Sequence, residues 1–203
     1  MATDTVICNM ALGHLGSTKE IGDLETERSA EAIVCRRFYE TIRTQTLRDF
    51  PWPFATKIAE LNLLDESPNE DEWAYAYRYP TDCLSIQRIV SGIRNEAAGQ
   101  RVPYKIVRDD DGLVILTDQS EAVLQYTVDL DDESQYPPDY VMALSLHIAA
   151  VIAPKLTGGD QFRLGQRARQ LYEIALTKAA ANSQNEQQQE VDPESEYIRA
   201  RMG

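Results

Sequence analysis

Apolar residues near the start of the chain recur at helical spacing, with Val6, Ile7, Met10, Ala11 and Leu15 three and four positions apart. Thr3 or Asp4 offers an N-cap and Gly16 a stop, which predicts a short amphipathic helix from Thr3 to Leu15. After the polar turn GSTKEIGDLE, the period returns from Thr26 to Phe50 through Ala30, Ile33, Val34, Phe38, Ile42 and Leu47. Arg28, Arg36, Arg37, Arg43 and Arg48 mostly fall between those positions and read as the polar face of a long helix. That helix must end by Pro51, because Pro51 and Pro53 disfavour helical geometry before them and lack a backbone donor.

From Ala55 to Tyr136 the pattern changes to short β-rich runs: ATKIAELNLL, WAYAYRYP, CLSIQRIV, VPYKIVRD, GLVILTD and AVLQYTVDL. Clusters of Asp, Asn, Gly, Ser and Pro separate the runs, and RDDDGL reads as a hairpin turn. These connections are too short for parallel crossovers, so antiparallel pairing is predicted.

Pro137-Pro138 opens a third helix, DYVMALSLHIAAVIA, that is apolar on nearly every face and belongs at the centre of a bundle. Pro154 would clash with the carbonyl of Ala150, so a kink or stop is expected near Ala153. A fourth helix from Asp160 to Ala181 carries Leu164, Ala168, Leu171, Ala175 and Ala179 on one stripe. The remainder, 182–203, has little to bury and reads as a tail or arm. The layout is an α+β chain: an antiparallel bundle of about four helices (1–54 and 137–181), an inserted antiparallel β-rich lobe (55–136) and an extended C-terminal arm.

Composition narrows the function. The 203 residues carry a net charge of −13, the opposite of the footprint of tight non-specific nucleic-acid binding. The charge is uneven: −2 over 1–54, −10 over 55–136, +2 over 137–181 and −3 over 182–203. No uninterrupted apolar run is long enough to suggest a membrane span, and the N-terminus does not read as a secretory signal, so the expected compartment is cytoplasmic. Cys8, Cys35 and Cys83 are odd in number and without a C-x-x-C pair, so they read as semi-buried thiols and not as a disulfide framework or zinc site.

Candidate chemistry is sparse. His147, on the apolar helix, reads as a core residue with a satisfied ring nitrogen, and His14 as a partner of terminal helix carbonyls. No nucleophile elbow, phosphate loop, dinucleotide fingerprint or metalloprotease motif occurs, and neither a catalytic residue, a metal nor a cofactor is expected. The acidic groups Asp109, Asp110, Asp111 and Asp129, Asp131, Asp132, Glu133 lack the spacing of a calcium loop and read as charged surface. Tyr75, Tyr77 and Tyr79 share one strand face, which reads as a packed sheet or a protein interface.

Taken in order, ICNMALGHLGSTKEIGDLETERSAEA, FYETIRTQTLRDFPWPFA, YAYRYPTDCLSIQRI, GLVILTD, AVLQYTVD, LHIAAVIAPKLTG and LYEIALTKAAA resemble the tail tubular protein A family of short-tailed bacteriophages. The resemblance spans most of Val6 to Ala181. It implies a structural virion part and not an enzyme: a head-to-tail adaptor ring, commonly of twelve copies, between portal and tail nozzle, through which DNA passes transiently. The implied location is the neck of the virion after assembly in the host cytoplasm, with portal, nozzle and tail fibre as partners and no membrane. Within that frame the acidic residues are candidates for lining a DNA channel that repels phosphate. Trp52 and Phe54 are candidates for anchoring bundle to lobe. Tyr197, Ile198, Arg199 and Arg201 are candidates for a portal-docking arm. Arg163, Arg167 and Arg169 would pair with acids of an adjacent subunit or touch DNA. Two alternatives stand beside the adaptor: a head-completion connector of a long-tailed phage, and a soluble oligomeric binding module.

Overall fold

A computed structural model describes residues 2–65, 72–93, 98–160 and 162–186. The first helix, α1, spans Asp4–His14, and its N-cap Thr3 accepts from the Val6 amide. The chain leaves it through Gly16, whose φ of 73° favours glycine. Asn9 then clamps the following loop by both ends of its amide, accepting from Ile21 N at 2.8 Å and donating to Ile21 O at 2.9 Å. That clamp folds the loop back and helps bury Ile21 and Leu24 in the helical core.

The second helix, α2, spans Ala30–Asp49 and begins later than the expected Thr26. Asp23 draws the amides of Glu25 and Thr26 into a side-chain-closed turn, and Ser29 is the actual cap, accepting from Ala32 N. The buried face also differs from the expected stripe. It runs through Ala32, Cys35, Tyr39, Ile42, Arg43, Thr46 and Leu47, while Ile33 is exposed.

Between the helices lies the lobe, with all six expected strands: β1 (Thr56–Glu60), β2 (Tyr75–Arg78), β3 (Cys83–Ile89), β4 (Tyr104–Asp109), β5 (Gly112–Thr117) and β6 (Val123–Val128). They form two three-stranded antiparallel sheets, ordered β1-β6-β3 and β2-β5-β4. One small core joins Tyr77 and Ile115 of the second sheet to Ile89, Leu124 and Tyr126 of the first. A further one buries Ala76, Val114 and Leu116, so β5 is covered on both faces. A register shift between Ile86 and Arg88 lets consecutive residues bond the same partner, Gln125, which is what an extra residue in one strand does.

The third helix, α3, spans Pro138–Leu156 and contacts α1, α2 and α4, the central place its all-round apolarity implied. It is long and apolar enough to cross a membrane by length and composition, but much of it is buried against the other helices. Pro154 does not stop it near Ala153. Only the bond to Ala150 O is lost, and the last turn is closed by Thr157 N to Ala153 O and Gly159 N to Pro154 O, both 2.9 Å.

The fourth helix, α4, spans Leu164–Glu186, starting later and ending later than expected, so residues 182–186 of the anticipated arm are helical. Asp160, at φ 58°, receives Gly165 N at 2.9 Å and Gln166 N at 3.3 Å and so serves the helix start from outside it. Gly165 is where α4 crosses α3. A Cβ there would stand 3.0 Å from Ala150 O and 3.0 Å from Ala153 Cβ. Among the described residues the architecture is therefore four α-helices with two small antiparallel sheets inserted between the second and third.

Candidate functional site

Polar and aromatic side chains gather where the lobe leaves and rejoins the helices. Trp52 is buried, donates Nε1–H to Thr46 O at 2.9 Å, and meets Phe50 and Tyr140 edge-on with centroids 5.0 and 5.1 Å away. Phe54 is half-buried and packs on Tyr136 and Tyr140 at 5.9 and 5.0 Å. The aromatic group therefore ties the exit from α2 to the entry into α3. Its packing is with the helical core, which also receives Leu84, Val128 and Leu130 from the lobe side.

Beside it is a residue whose charge reads as part of the polar face. Arg43 is 2% exposed, donates to Leu130 O at 2.6 Å, and pairs with Asp129 at 2.8 Å and with Glu40. Leu130 O also accepts from the Tyr136 hydroxyl at 2.8 Å, and Tyr140 donates to Arg43 O at 3.2 Å. Burial works against the guanidinium's charge, but Glu40, Tyr136 and Asp129 outweigh it and hold Arg43 protonated. Burial pushes the Tyr136 hydroxyl up to about 12, with Arg43 pulling the other way. Arg43 Nε is buried with no hydrogen-bond partner among the described residues. The signal was available in the sequence: Arg43 stands four positions from both Tyr39 and Leu47, on the buried stripe.

His147 is in the core, as its position on the apolar helix implied. Thr46 gives its single hydroxyl proton to Ile42 O at 2.7 Å, so His147 Nδ1–H donates to Thr46 Oγ1 at 2.9 Å. The ring stacks on Tyr172 at 4.3 Å, and Tyr172 donates to Asp49 Oδ2 at 2.7 Å. Burial lowers the imidazole pKa, with Arg169 acting the same way and Asp49 opposing. His14 reaches a neighbouring helix and not its own terminal carbonyls: Ser145 donates to Met142 O, leaving its oxygen to accept from His14 Nε2 at 3.1 Å. Cys8 and Cys35 are buried and Cys83 half-buried, all as free thiols.

The acidic candidates divide between two places. Asp109 closes the β4–β5 hairpin, accepting from Asp111 N at 2.9 Å and pairing with Arg78 of β2 at 3.0 Å. Asp110 and Asp111 are exposed at that turn. The other group precedes α3: Asp129 holds Arg43, Asp132 caps a short turn through Ser134 N at 3.0 Å, and Glu133 meets the Tyr39 hydroxyl at 3.4 Å. Asp131 is exposed. Among the described residues no three His, Cys, Asp or Glu side chains gather to hold a metal ion. Tyr77 is buried between the sheets and donates to Gln119 O at 2.9 Å, while Tyr75 and Tyr79 are half-buried, a packed face. Tyr197, Ile198, Arg199 and Arg201 lie outside the described residues.

Between the end of α4 and the outer face of the first sheet runs a groove of about 410 Å³, lined by Phe50, Pro53, Thr56, Gln87 and Ser183 among others. No protein-family model matches the chain, and no curated protein matches it.

Proposed function

We propose that this chain is a structural adaptor of a virus particle, a ring that joins the portal to the tail nozzle and surrounds the passing genome. The observation that carries the reading is the order of the segments that resemble the tail tubular protein A family: short helix, long helix, tryptophan-proline break, β lobe, apolar helix, amphipathic helix. Each of these is an element of the framework and not a decoration of it, with α3 at the centre and Trp52 at the junction. One histidine and the cysteines are also committed to packing or to local bonds. His147, Cys8 and Cys35 are buried in the helical core, and Cys83 donates to the Tyr79 hydroxyl at 3.2 Å.

The test is the mass of the full chain, alone and mixed with the portal and nozzle proteins of the same genome, by light scattering followed by electron microscopy. A ring that forms with the portal supports the adaptor. A small oligomer indifferent to both partners overturns it in favour of a binding module. A version lacking 190–203, run alongside, is expected to fold normally and to hold the portal less tightly.

A further inference from the structure

Beside the aromatic junction, the end of α4 borders an open pocket of about 170 Å³. Its lining includes the rings of Phe50, Trp52 and Phe54, and it shares Phe50 and Ser183 with the groove along the first sheet. An apolar cavity of about 150 Å³ is enough to hold a six-membered aromatic ring. The rim is polar: Asn182 donates Nδ2–H to Asp139 Oδ2 at 3.0 Å, and both residues are exposed where they line the pocket. Such a site suits a group with an aromatic body and a hydroxyl tip, since the rings receive the body and the carboxylate accepts from the hydroxyl.

The sequence places such a group close by. Ser183, on the pocket wall, stands three residues before Glu186, the last residue of α4. Tyr197 is the aromatic residue of 187–203, eleven positions beyond Glu186. Eleven residues reach up to about 36 Å when extended, so the link from Glu186 back to a pocket one helical turn behind it needs no stretching. Asp192-Pro193 falls midway along the link, with the residue types that open a reverse turn. A link this short presents the tyrosine to its own pocket at an effective concentration on the order of millimolar, far above that of another molecule in dilute solution.

We propose that this pocket takes the Tyr197 ring of the same chain, with the hydroxyl on Asp139, so that the segment after α4 folds back over the aromatic junction. Burial of the ring against Phe50 and Phe54, both half-buried, supplies the driving force, and the rim fixes the orientation. The proposal stands apart from the adaptor reading: it concerns the chain on its own, and a portal that engaged the arm would compete with the pocket for Tyr197.

The test is NMR of the full chain in dilute solution with isotope-labelled aromatic rings. Nuclear Overhauser contacts from the Tyr197 ring to Trp52 and Phe54 are expected, within one molecule. Tyr197→Ala should remove them and shift the ring signals of Trp52 and Phe54, while leaving those of Tyr77, buried in the lobe, in place. Ser183→Phe, which fills the pocket from its wall, should abolish the same contacts with Tyr197 still present. Circular dichroism checks that both variants are folded, and Tyr197→Ala alters no residue of the helical or lobe cores.

Absence of contacts from Tyr197 to either ring, or contacts that survive Ser183→Phe, overturns the proposal. So do contacts seen only between labelled and unlabelled copies, which would put the tyrosine in the pocket of a second copy. None of those results touches the adaptor reading, which stands or falls on ring formation with the portal.

Discussion

Replacing Arg43 separates two accounts of the junction between helices and lobe. If Arg43 acts as a hydrogen-bonding clasp, Arg43→Met removes the clasp while keeping most of the volume. Leu130 O then loses a bond to a charged donor, of a kind worth about 1.5 to 3 kcal/mol. The ion pairs add little, since Asp129 and Glu40 are 39% and 70% exposed and return to water when the arginine leaves. Relief of the buried guanidinium, and of its unpaired Nε, offsets part of the loss. The expected net cost is about 2 kcal/mol for Arg43→Met, rising to about 3 to 4 kcal/mol for Arg43→Ala because a cavity is added. In urea, followed by circular dichroism, Arg43→Met should lower the midpoint by about 1 M at unchanged slope. A Met variant as stable as the parent would refute the reasoning and show that the site needs only volume.

Trp52→Ala should cost about 3 to 5 kcal/mol, since a buried indole with a made N–H bond is lost; a change near zero in urea would remove it from the anchoring role. Gly165→Ala should destabilise by about 1 to 2 kcal/mol despite its better helix propensity, because the new methyl meets Ala150 O and Ala153 Cβ at 3.0 Å; a raised melting temperature would contradict the close crossing. Burial holds the folded-state pKa of His147 below its ordinary value of 6.5, so the unfolded chain takes up that proton first as pH falls. Stability should therefore decline on acidification below about 6.5 until the folded-state pKa is passed, and His147→Gln should flatten that part of a urea-midpoint profile. An identical slope in the variant would assign the pH dependence elsewhere, with His14, also lowered by burial, the next residue to replace.

Much of the architecture was legible because it follows from local rules. Alternation marked the strands, prolines marked both ends of the lobe, and unbroken apolarity marked α3 as the central helix. Failures came where a tertiary partner overrode a residue's usual preference. Arg43 has the spacing of a core residue, but its charge reads as surface until Leu130 O and Asp129 are seen opposite it. Pro154 reads as a kink or stop, yet the helix continues to Leu156 and its last turn closes through Thr157 N and Gly159 N. Tyr172 was overlooked beside Leu171, although the tyrosine is the buried one and the leucine the exposed one.

The same distinction changes how the lobe's negative charge should be understood. Net charge counts every carboxylate alike, whereas a carboxylate beside a guanidinium contributes little field at a distance. Asp109 is matched by Arg78 and Asp129 by Arg43, while Asp132 and Glu133 accept hydrogen bonds from neutral groups and keep their charge. Among the candidate acids, Asp110, Asp131 and Asp132 are exposed and make no ion pair among the described residues, and Asp111 is 3.9 Å from Arg78 and 88% exposed. A repulsive channel lining would have to use this small set. Under the adaptor reading, Asp131→Asn with Asp132→Asn is expected to slow passage of the genome while leaving assembly intact, and ejection at the parent's rate would remove these acids from the lining.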